Sequence, residues 1–272
     1  SMLESGVKVS RQGRAAKLLM FDPAVLASAP MLMQAGGVGD MYAKYNVLGD
    51  WKLGSVVSGE QFCPLCAKLL NTALETCSSN IDGITLRTEK GMEALITSLI
   101  LAGLTMLIVG STRPCSSVEH NIAHYFEMSH YAYGTPAPSH GICAGIGLVY
   151  SLMFHDMLKN VDITKIDKDM IKNSRMTREQ KEAFLRSYFP PGVGKDVVSA
   201  NEYWYLEWPE QERRIDKIAA YHEQYKNDCA ILPDYMSVAK TLERFGAPSS
   251  ATKAGISMEM LERMLLCAKD LI

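Results

Sequence analysis

Apolar residues recur at helical spacing along most of the chain, and this pattern predicts a mainly α-helical fold. Glycine, proline and serine clusters separate the apolar stretches and mark the predicted breaks between helices. The predicted helices cover residues 40–53, 58–77, 88–109, 116–130, 139–157, 176–188, 209–229, 234–245 and 257–271.

The first thirty residues show a different pattern. Residues 7–10 and 17–21 form short β-like runs, and the basic segment 11–14 lies between them. Two units are therefore predicted, a short β segment over residues 1–30 and a helical domain over residues 31–272.

Composition and charge exclude a disordered chain and argue against two kinds of binding partner. The 272 residues are 47% hydrophobic and 21% charged, which excludes a disordered chain and provides for a buried core. The formal net charge of -2 gives no bulk attraction to nucleic acid or an anionic membrane, so neither is a predicted partner. Seven scattered cysteines suggest no disulfide framework, and no apolar signal segment opens the sequence. A reducing, cytoplasmic location follows as a prediction.

Residues 94–109, sixteen residues without a charge, are the one candidate for a membrane span. A span needs about 20 predominantly apolar residues. This stretch is shorter, contains Thr97, Ser98 and Thr105, and directly follows Glu93. A buried core helix is predicted instead.

Four polar residues, Asp40, His120, His124 and His140, form the strongest candidate for chemistry. His120 and His124 are four residues apart, so on a helix they share one face. Nitrogen and oxygen donors from three separate segments suit a divalent metal that keeps an open position for substrate. A solvated histidine face, with Asp40 acting only as a helix cap, is the alternative.

A second motif, Cys63-Pro64-Leu65-Cys66, has the spacing of half a zinc site or of a redox dithiol. The sequence has neither a second cysteine pair nor a thioredoxin-like strand before it. Both cysteines are therefore predicted to be buried small residues inside an apolar helix.

Several separated motifs resemble the glycerol-1-phosphate dehydrogenase family. They are Gly-Gly-Val-Gly-Asp-Met-Tyr-Ala-Lys-Tyr at 36–45, Gly-Asp-Trp-Lys-Leu at 49–53, Ser-Thr-Arg-Pro-Cys-Ser-Ser-Val-Glu-His at 111–120, and Ser-His-Gly at 139–141. The family is related to iron-type alcohol dehydrogenases, glycerol dehydrogenases and dehydroquinate synthases. The resemblance covers most of residues 15–272 and implies their helical metal-binding domain.

The resemblance implies a role for each matching residue. Asp40, His120 and His140 correspond to the ligands of a zinc, nickel or iron ion. His124 corresponds to a histidine near the substrate that relays a proton, and Glu127 to a carboxylate that orients a histidine.

Arg113 falls in the Ser-Thr-Arg-Pro segment that resembles the phosphate-handling branch of the family. The resemblance implies that it binds the substrate phosphate. An arginine that caps a helix end is an equally good interpretation.

The implied function is an NAD- or NADP-dependent oxidation of a polyol phosphate, glycerol 1-phosphate, to dihydroxyacetone phosphate. The family's nucleotide-binding half, with its Gly-Gly-Gly run, precedes these motifs, whereas Gly6 and Gly13 are the only glycines before Ala35. Residues 1–30 are therefore interpreted as remnant strands of that half. No cofactor-binding residue is predicted, and the chain alone is expected to bind dinucleotide weakly or not at all and to be inactive.

Other functions stay open at this point. The chain could be a non-catalytic helical module for binding or oligomerisation, with a homo-oligomer as one form. It could also act on an unphosphorylated polyol as a glycerol dehydrogenase does. A dehydroquinate synthase-like activity is disfavoured, because those enzymes carry glutamate at the position of Asp40.

Overall fold

The computed structural model describes residues 2–4, 6–9, 13–200 and 204–270, and within them the chain is mainly α-helical, as predicted. The helices are α1 (Pro23–Ser28), α2 (Met31–Val57), α3 (Pro64–Ser79), α4 (Ile81–Thr85), α5 (Glu89–Val109), α6 (Val118–Tyr133), α7 (His140–Asn160), α8 (Lys168–Asn173), α9 (Arg178–Tyr188), α10 (Val193–Ala200), α11 (Trp208–Asp228), α12 (Tyr235–Arg244) and α13 (Met258–Cys267). Short 3-10 turns lie at Arg113–Cys115, Ile163–Lys165, Cys229–Ile231 and Ala268–Asp270.

The β structure in the described residues is one antiparallel hairpin. Strand β1 (Met2–Glu4) pairs with β2 (Val7–Val9), and Met2 lies opposite Val9. The predicted strand at 7–10 is present up to Val9, and Ser10 lies outside the described residues. The predicted strand at 17–21 is wrong, because that segment is not a strand and its apolar side chains face solvent. Residues 23–28 are already helical, and the division at residue 30 stays a prediction.

The first long helix begins earlier than the pattern predicted. Helix α2 starts at Met31, directly after Pro30, and runs through Gly36, Gly37 and Gly39 without a break. These glycines were expected to precede the helix because glycine weakens a helix interior. Packing explains the difference, because the start of α7 lies against Gly36 and Gly39, and Leu95 of α5 lies against Gly37.

Helices α2 and α7 approach each other through backbone rather than side chains. A Cβ atom placed on Gly39 would lie 2.2 Å from the carbonyl oxygen of Gly141, and one on Gly141 would lie 2.0 Å from that of Gly36. Only glycine fits such an approach, since even a methyl group would overlap the facing backbone. The crossing places Asp40, which follows Gly39, opposite His140, which precedes Gly141.

Helix α6 packs against both α2 and α7 beside this crossing. A Cβ atom on Gly147 would lie 2.2 Å from the carbonyl oxygen of Glu119, so α6 also meets α7 at backbone distance. The neighbouring residue, His120, is thereby held beside the α2–α7 crossing. Fully buried apolar side chains fill the space around the three helices, among them Val38, Met41, Ile122, Phe126 and Ile146.

Substituting Gly141 by alanine is expected to destabilise the fold by about 1–3 kcal/mol, the usual effect of forcing an extra methyl group into a packed core. Gly103 provides the matched control, because it lies in helix α5 with no atom within 4 Å of an added Cβ. Gly103→Ala should raise stability by up to about 1 kcal/mol through better helix propensity. Urea unfolding of both variants checks this, and equal effects would contradict the close approach at Gly141.

Two helices, α5 and α7, are long and apolar enough to cross a membrane by length and composition alone. The most apolar part of α7 is 61% buried, as expected for a core helix, whereas the most apolar part of α5 is only 33% buried. Helix α5 was predicted to be a buried core helix, but Leu104, Leu107 and Ile108 near its end are exposed. The predicted cytoplasmic location stays a prediction.

Candidate metal centre

Three helices bring Asp40, His120 and His140 to one point. Asp40 lies within α2, His120 near the start of α6, and His140 is the first residue of α7. One possible ligand atom from each residue lies within 4.8 Å of the other two. His120 Nε2 is 3.1 Å from Asp40 Oδ1, and the rings of His120 and His140 have centroids 5.3 Å apart. The residues selected from the sequence are therefore neighbours in space.

Each of the two histidines is held at its second nitrogen by a carboxylate. His120 Nδ1 lies 2.7 Å from Glu119 Oε1, and His140 Nδ1 lies 2.7 Å from Glu127 Oε1. In metal sites a ligating histidine almost always donates its other N–H to such an acceptor, which fixes the ring and leaves the remaining nitrogen for the ion. Both imidazoles therefore have the second partner that a ligating histidine requires.

The donor set and its spacing fit a divalent transition metal. Ligand atoms about 2.0–2.2 Å from a tetrahedral zinc ion lie about 3.3 Å from one another. The measured 3.1 Å between His120 Nε2 and Asp40 Oδ1 is close to that separation. Two imidazoles and one carboxylate also leave a coordination position for substrate, which is typical of catalytic sites.

Asp40 is ionised in this arrangement and His120 binds a proton readily. Burial alone would raise the pKa of Asp40, but Lys44, 3.1 Å away, and His120 together hold that pKa far below its ordinary value. Burial and Lys44 oppose protonation of His120, yet hydrogen bonds to Asp40 and Glu119 raise its pKa above 6.5. A cation that takes the place of the proton on His120 Nε2 would lie beside the Asp40 carboxylate, while Glu119 would still accept from Nδ1.

Glu127 lies between two histidines. Its Oε2 is 2.9 Å from His124 Nδ1, and its Oε1 accepts from His140. Burial raises the pKa of Glu127, but the two imidazoles outweigh it and lower that pKa from 4.5 to about 2. Burial dominates for His124 and lowers its pKa, so this imidazole is neutral near pH 7. The sequence predicted a histidine-orienting role for Glu127, and this contact is the one that role requires.

Glu127 should make the metal-free protein sensitive to acid. Since its folded pKa of about 2 lies below the ordinary 4.5, its stabilising contribution is complete above 4.5 and is lost as pH falls towards 2. Glu127→Gln should therefore be less stable than the parent above pH 4.5, and the difference should shrink on acidification. Urea unfolding across this range measures it, and a difference that does not change with pH would contradict the argument.

The cluster lines a cavity of about 760 Å³. Its described walls comprise Lys8, Asp40, Lys44, Met106, Thr112, Cys115, Ser116, His120, His124, Glu127, His130, Tyr131, Ala137, Pro138 and His140. Two lysines and the candidate metal ligands therefore line the same cavity, which is large enough for a small phosphorylated molecule.

Arg113 does not join this group. Its Nε and Nη2 donate to both carboxylate oxygens of Glu60 at 2.8 and 2.7 Å, and it is absent from the described cavity walls. Glu60 lies between α2 and α3, 53 residues before Arg113 in the sequence, so pattern reasoning gave no indication of the pair. The capping interpretation of Arg113 is not what the structure shows either, since the side chain pairs with Glu60.

Three contributors to the site were missed from the sequence. Lys44 forms an ion pair with Asp40, and its i,i+4 spacing on one helix was an available signal. Glu119 is completely buried and binds His120, its direct neighbour in sequence. Asn46 donates through Nδ2 to Glu119 and accepts from His155 through Oδ1, a contact between helices α2 and α7 that no local pattern indicates.

The chain is similar to curated proteins of one family, the glycerol-1-phosphate dehydrogenases. It is 33% identical over 191 residues to a glycerol-1-phosphate dehydrogenase of Halalkalibacterium halodurans, covering 70% of this chain and 48% of that protein. The corresponding protein of Bacillus subtilis is 36% identical over 206 residues, covering 71% and 52%. The protein of Aeropyrum pernix is 31% identical over 147 residues, covering 54% and 41%. The resemblance to glycerol-1-phosphate dehydrogenases is confirmed.

The resemblance extends over much of this chain but over only part of each relative. The chain spans about half the length of the bacterial glycerol-1-phosphate dehydrogenases it matches. The names of these relatives also give NAD(P)+ as their cosubstrate. No protein-family profile matches the chain.

Proposed function

We propose that this chain forms the metal- and substrate-binding part of an NAD(P)-linked polyol-phosphate dehydrogenase that interconverts glycerol 1-phosphate and dihydroxyacetone phosphate. The observation that carries the proposal is the pairing of each candidate ligand histidine with its own carboxylate, Glu119 for His120 and Glu127 for His140. A solvated histidine face needs no such partners. The similarity to glycerol-1-phosphate dehydrogenases supplies the reaction and the substrate class.

Asp40, His120 and His140 would hold a zinc, nickel or iron ion. When bound, such an ion polarises the carbonyl oxygen of the ketone and lowers the pKa of the corresponding alcohol. The chain's own contribution is to keep both imidazoles oriented and Asp40 ionised, through Glu119, Glu127 and Lys44.

His124 is suited to move the proton of the substrate hydroxyl. Its Nδ1 faces Glu127, which leaves Nε2 for the substrate, and burial keeps the ring neutral and able to accept a proton. Glu127 stabilises the imidazolium that forms, because its carboxylate is already in hydrogen-bonding contact with the ring. NAD or NADP, when bound, would supply the nicotinamide that exchanges hydride with the carbinol carbon.

The substrate phosphate would lie near the lysines of the cavity. Lys8 and Lys44 both line the cavity, and their ammonium groups can interact with a phosphate dianion, that of Lys44 while it also pairs with Asp40 at 3.1 Å. Arg113 would bind the phosphate only after leaving Glu60, with which it forms a bidentate pair. Its role in phosphate binding stays a prediction.

Calorimetric titration of dihydroxyacetone phosphate into the chain tests this function. We expect binding to protein loaded with zinc, nickel or iron(II), and at least about tenfold weaker binding after chelation, since the ion contributes directly to the contact. Unphosphorylated dihydroxyacetone is the matched control. Equal binding of both ligands would favour the glycerol dehydrogenase alternative, and no binding with any of the three metals would contradict the proposal.

Binding rather than turnover is the appropriate readout for this chain. Its sequence lacks the Gly-Gly-Gly run expected before Asp40, so we propose that the chain alone does not complete the hydride transfer. Dinucleotide titration in the same calorimeter addresses that part, and micromolar affinity for NAD or NADP would overturn it.

A further inference from the structure

The Cys63-Pro64-Leu65-Cys66 motif lies at the start of a helix rather than inside one. Helix α3 begins at Pro64, so Cys63 is the residue before the helix and Cys66 belongs to its first turn. The sequence had predicted a helix start at Ser58, but Ser58 ends α2. The expectation that both cysteines lie inside an apolar helix is therefore wrong.

The two cysteines differ in exposure. All seven cysteines fall within the described residues, and Cys63 alone among them is not buried. Its neighbours Pro64 and Leu65 are exposed, so a small reagent can approach Cys63 from solvent. Cys66 is completely buried beneath it, against Val47 and Trp51. The pair thus consists of an accessible thiol and a protected one.

The backbone at Cys63 favours contact between the two thiols. Residues three apart inside a regular helix have Cβ atoms about 5–6 Å apart, too far for the 3.5–4.5 Å, or about 3.8 Å on average, that a disulfide needs. Cys63 is outside that geometry, with extended dihedral angles of φ −108 and ψ 105. The Cys63 side chain is therefore not held at the helical distance from Cys66, as in Cys-x-x-Cys redox motifs at helix N-termini.

The local electrostatics also distinguish the two thiols, because they lower the pKa of Cys63 and raise that of Cys66. The backbone N–H of Cys66, together with its thiol, lowers the pKa of Cys63. Burial raises the pKa of Cys66 to about 11. The unsatisfied N–H groups at the start of α3 add a positive end of the helix dipole, which favours a thiolate at Cys63. Cys63 is thus the nucleophile and Cys66 the resolving thiol.

We propose that Cys63 and Cys66 form a redox-active dithiol that a low-molecular-weight disulfide converts to an intramolecular disulfide. The Cys63 thiolate attacks one sulfur of the small disulfide, forms a mixed disulfide and releases one thiolate. Cys66 loses its proton and attacks the Cys63 sulfur, which releases the second small thiol. In total the protein dithiol loses two protons and two electrons, and the small disulfide gains them as two thiols.

Thiol counting under oxidation tests the proposal. The metal-stripped protein is equilibrated with glutathione disulfide, denatured, alkylated and weighed by mass spectrometry, with chelator present throughout. We expect the alkylated thiols to fall from the seven cysteines to five, with one peptide linking residues 63 and 66, and to return to seven after dithiothreitol. Seven thiols after full equilibration, or a link between other cysteines, would overturn the proposal.

Single serine variants separate the two roles. Cys66→Ser should retain one glutathione as a mixed disulfide on Cys63, because nothing resolves it, whereas Cys63→Ser should lose no thiols. Cys77→Ser, a buried cysteine of the same helix, is the matched control and should still form the 63–66 link. Loss of that link in Cys77→Ser would contradict the assignment. Because metal is absent, the outcome is independent of the proposed dehydrogenase function.

Discussion

Replacing His120 by alanine is expected to weaken zinc binding by more than about 100-fold. Loss of a group that only supports a ligand already costs about 10- to 100-fold, and His120 is proposed as a ligand itself. The substitution also leaves Glu119 buried without its imidazole partner and Asp40 without one of its two neighbours. Competition titration with a chromophoric chelator measures the affinity.

His130→Ala is the matched control for this experiment. His130 belongs to the same helix and lines the same cavity, but its Nδ1 faces the backbone carbonyl of Thr135 and it lies outside the candidate ligand groups. Its removal should change zinc affinity less than about threefold, within the variation of a distant surface substitution. Equal losses in the two variants would remove His120 from the ligand set.

Glu119→Ala is expected to lower the free energy of unfolding by about 3–5 kcal/mol, the usual cost of breaking a buried charged pair. Glu119 is fully buried, and its carboxylate accepts from the Ser117 N–H at 2.9 Å, from Asn46 and from His120. Alanine leaves all three donors without this acceptor. Urea unfolding of the metal-free protein measures the loss.

Glu119→Gln separates folding from metal binding. Glutamine keeps the shape and one acceptor oxygen but places an NH2 group against a donor, so only part of the stability should return. It removes the negative charge that holds His120, and zinc affinity should still fall by about 10- to 100-fold. Glu93→Ala, an exposed glutamate of α5, should change neither quantity. Full zinc affinity in Glu119→Gln would show that orientation of His120 does not depend on this charge.

The sequence predicted the helical fold, and on different grounds it supplied the residues of the candidate site. Periodic apolar residues identified most helices, because burial of one face requires that spacing. Asp40, His120 and His140 were selected by residue type and by resemblance, since they are 80 and 20 residues apart in sequence. Neither residue type nor resemblance could predict that these three side chains lie close together, because this depends on how three helices cross.

The errors concern residues whose conformation depends on distant partners. The glycines before Asp40 were expected to open a helix, but they lie inside α2, where the neighbouring helices α5 and α7 pack against them. The pairing of Arg113 with Glu60, a residue of another segment, was likewise not anticipated, and its role at the substrate stays a prediction. Local composition contains no information about either partner.

The glycine contacts around the site have a consequence for how the protein can change. Gly39 and Gly141 adjoin Asp40 and His140, and at these two glycines the helices meet through main-chain atoms. Sequence drift among the surrounding apolar side chains can therefore proceed without altering the spacing of these two donors. Laboratory redesign has the same freedom, provided that both glycines are retained.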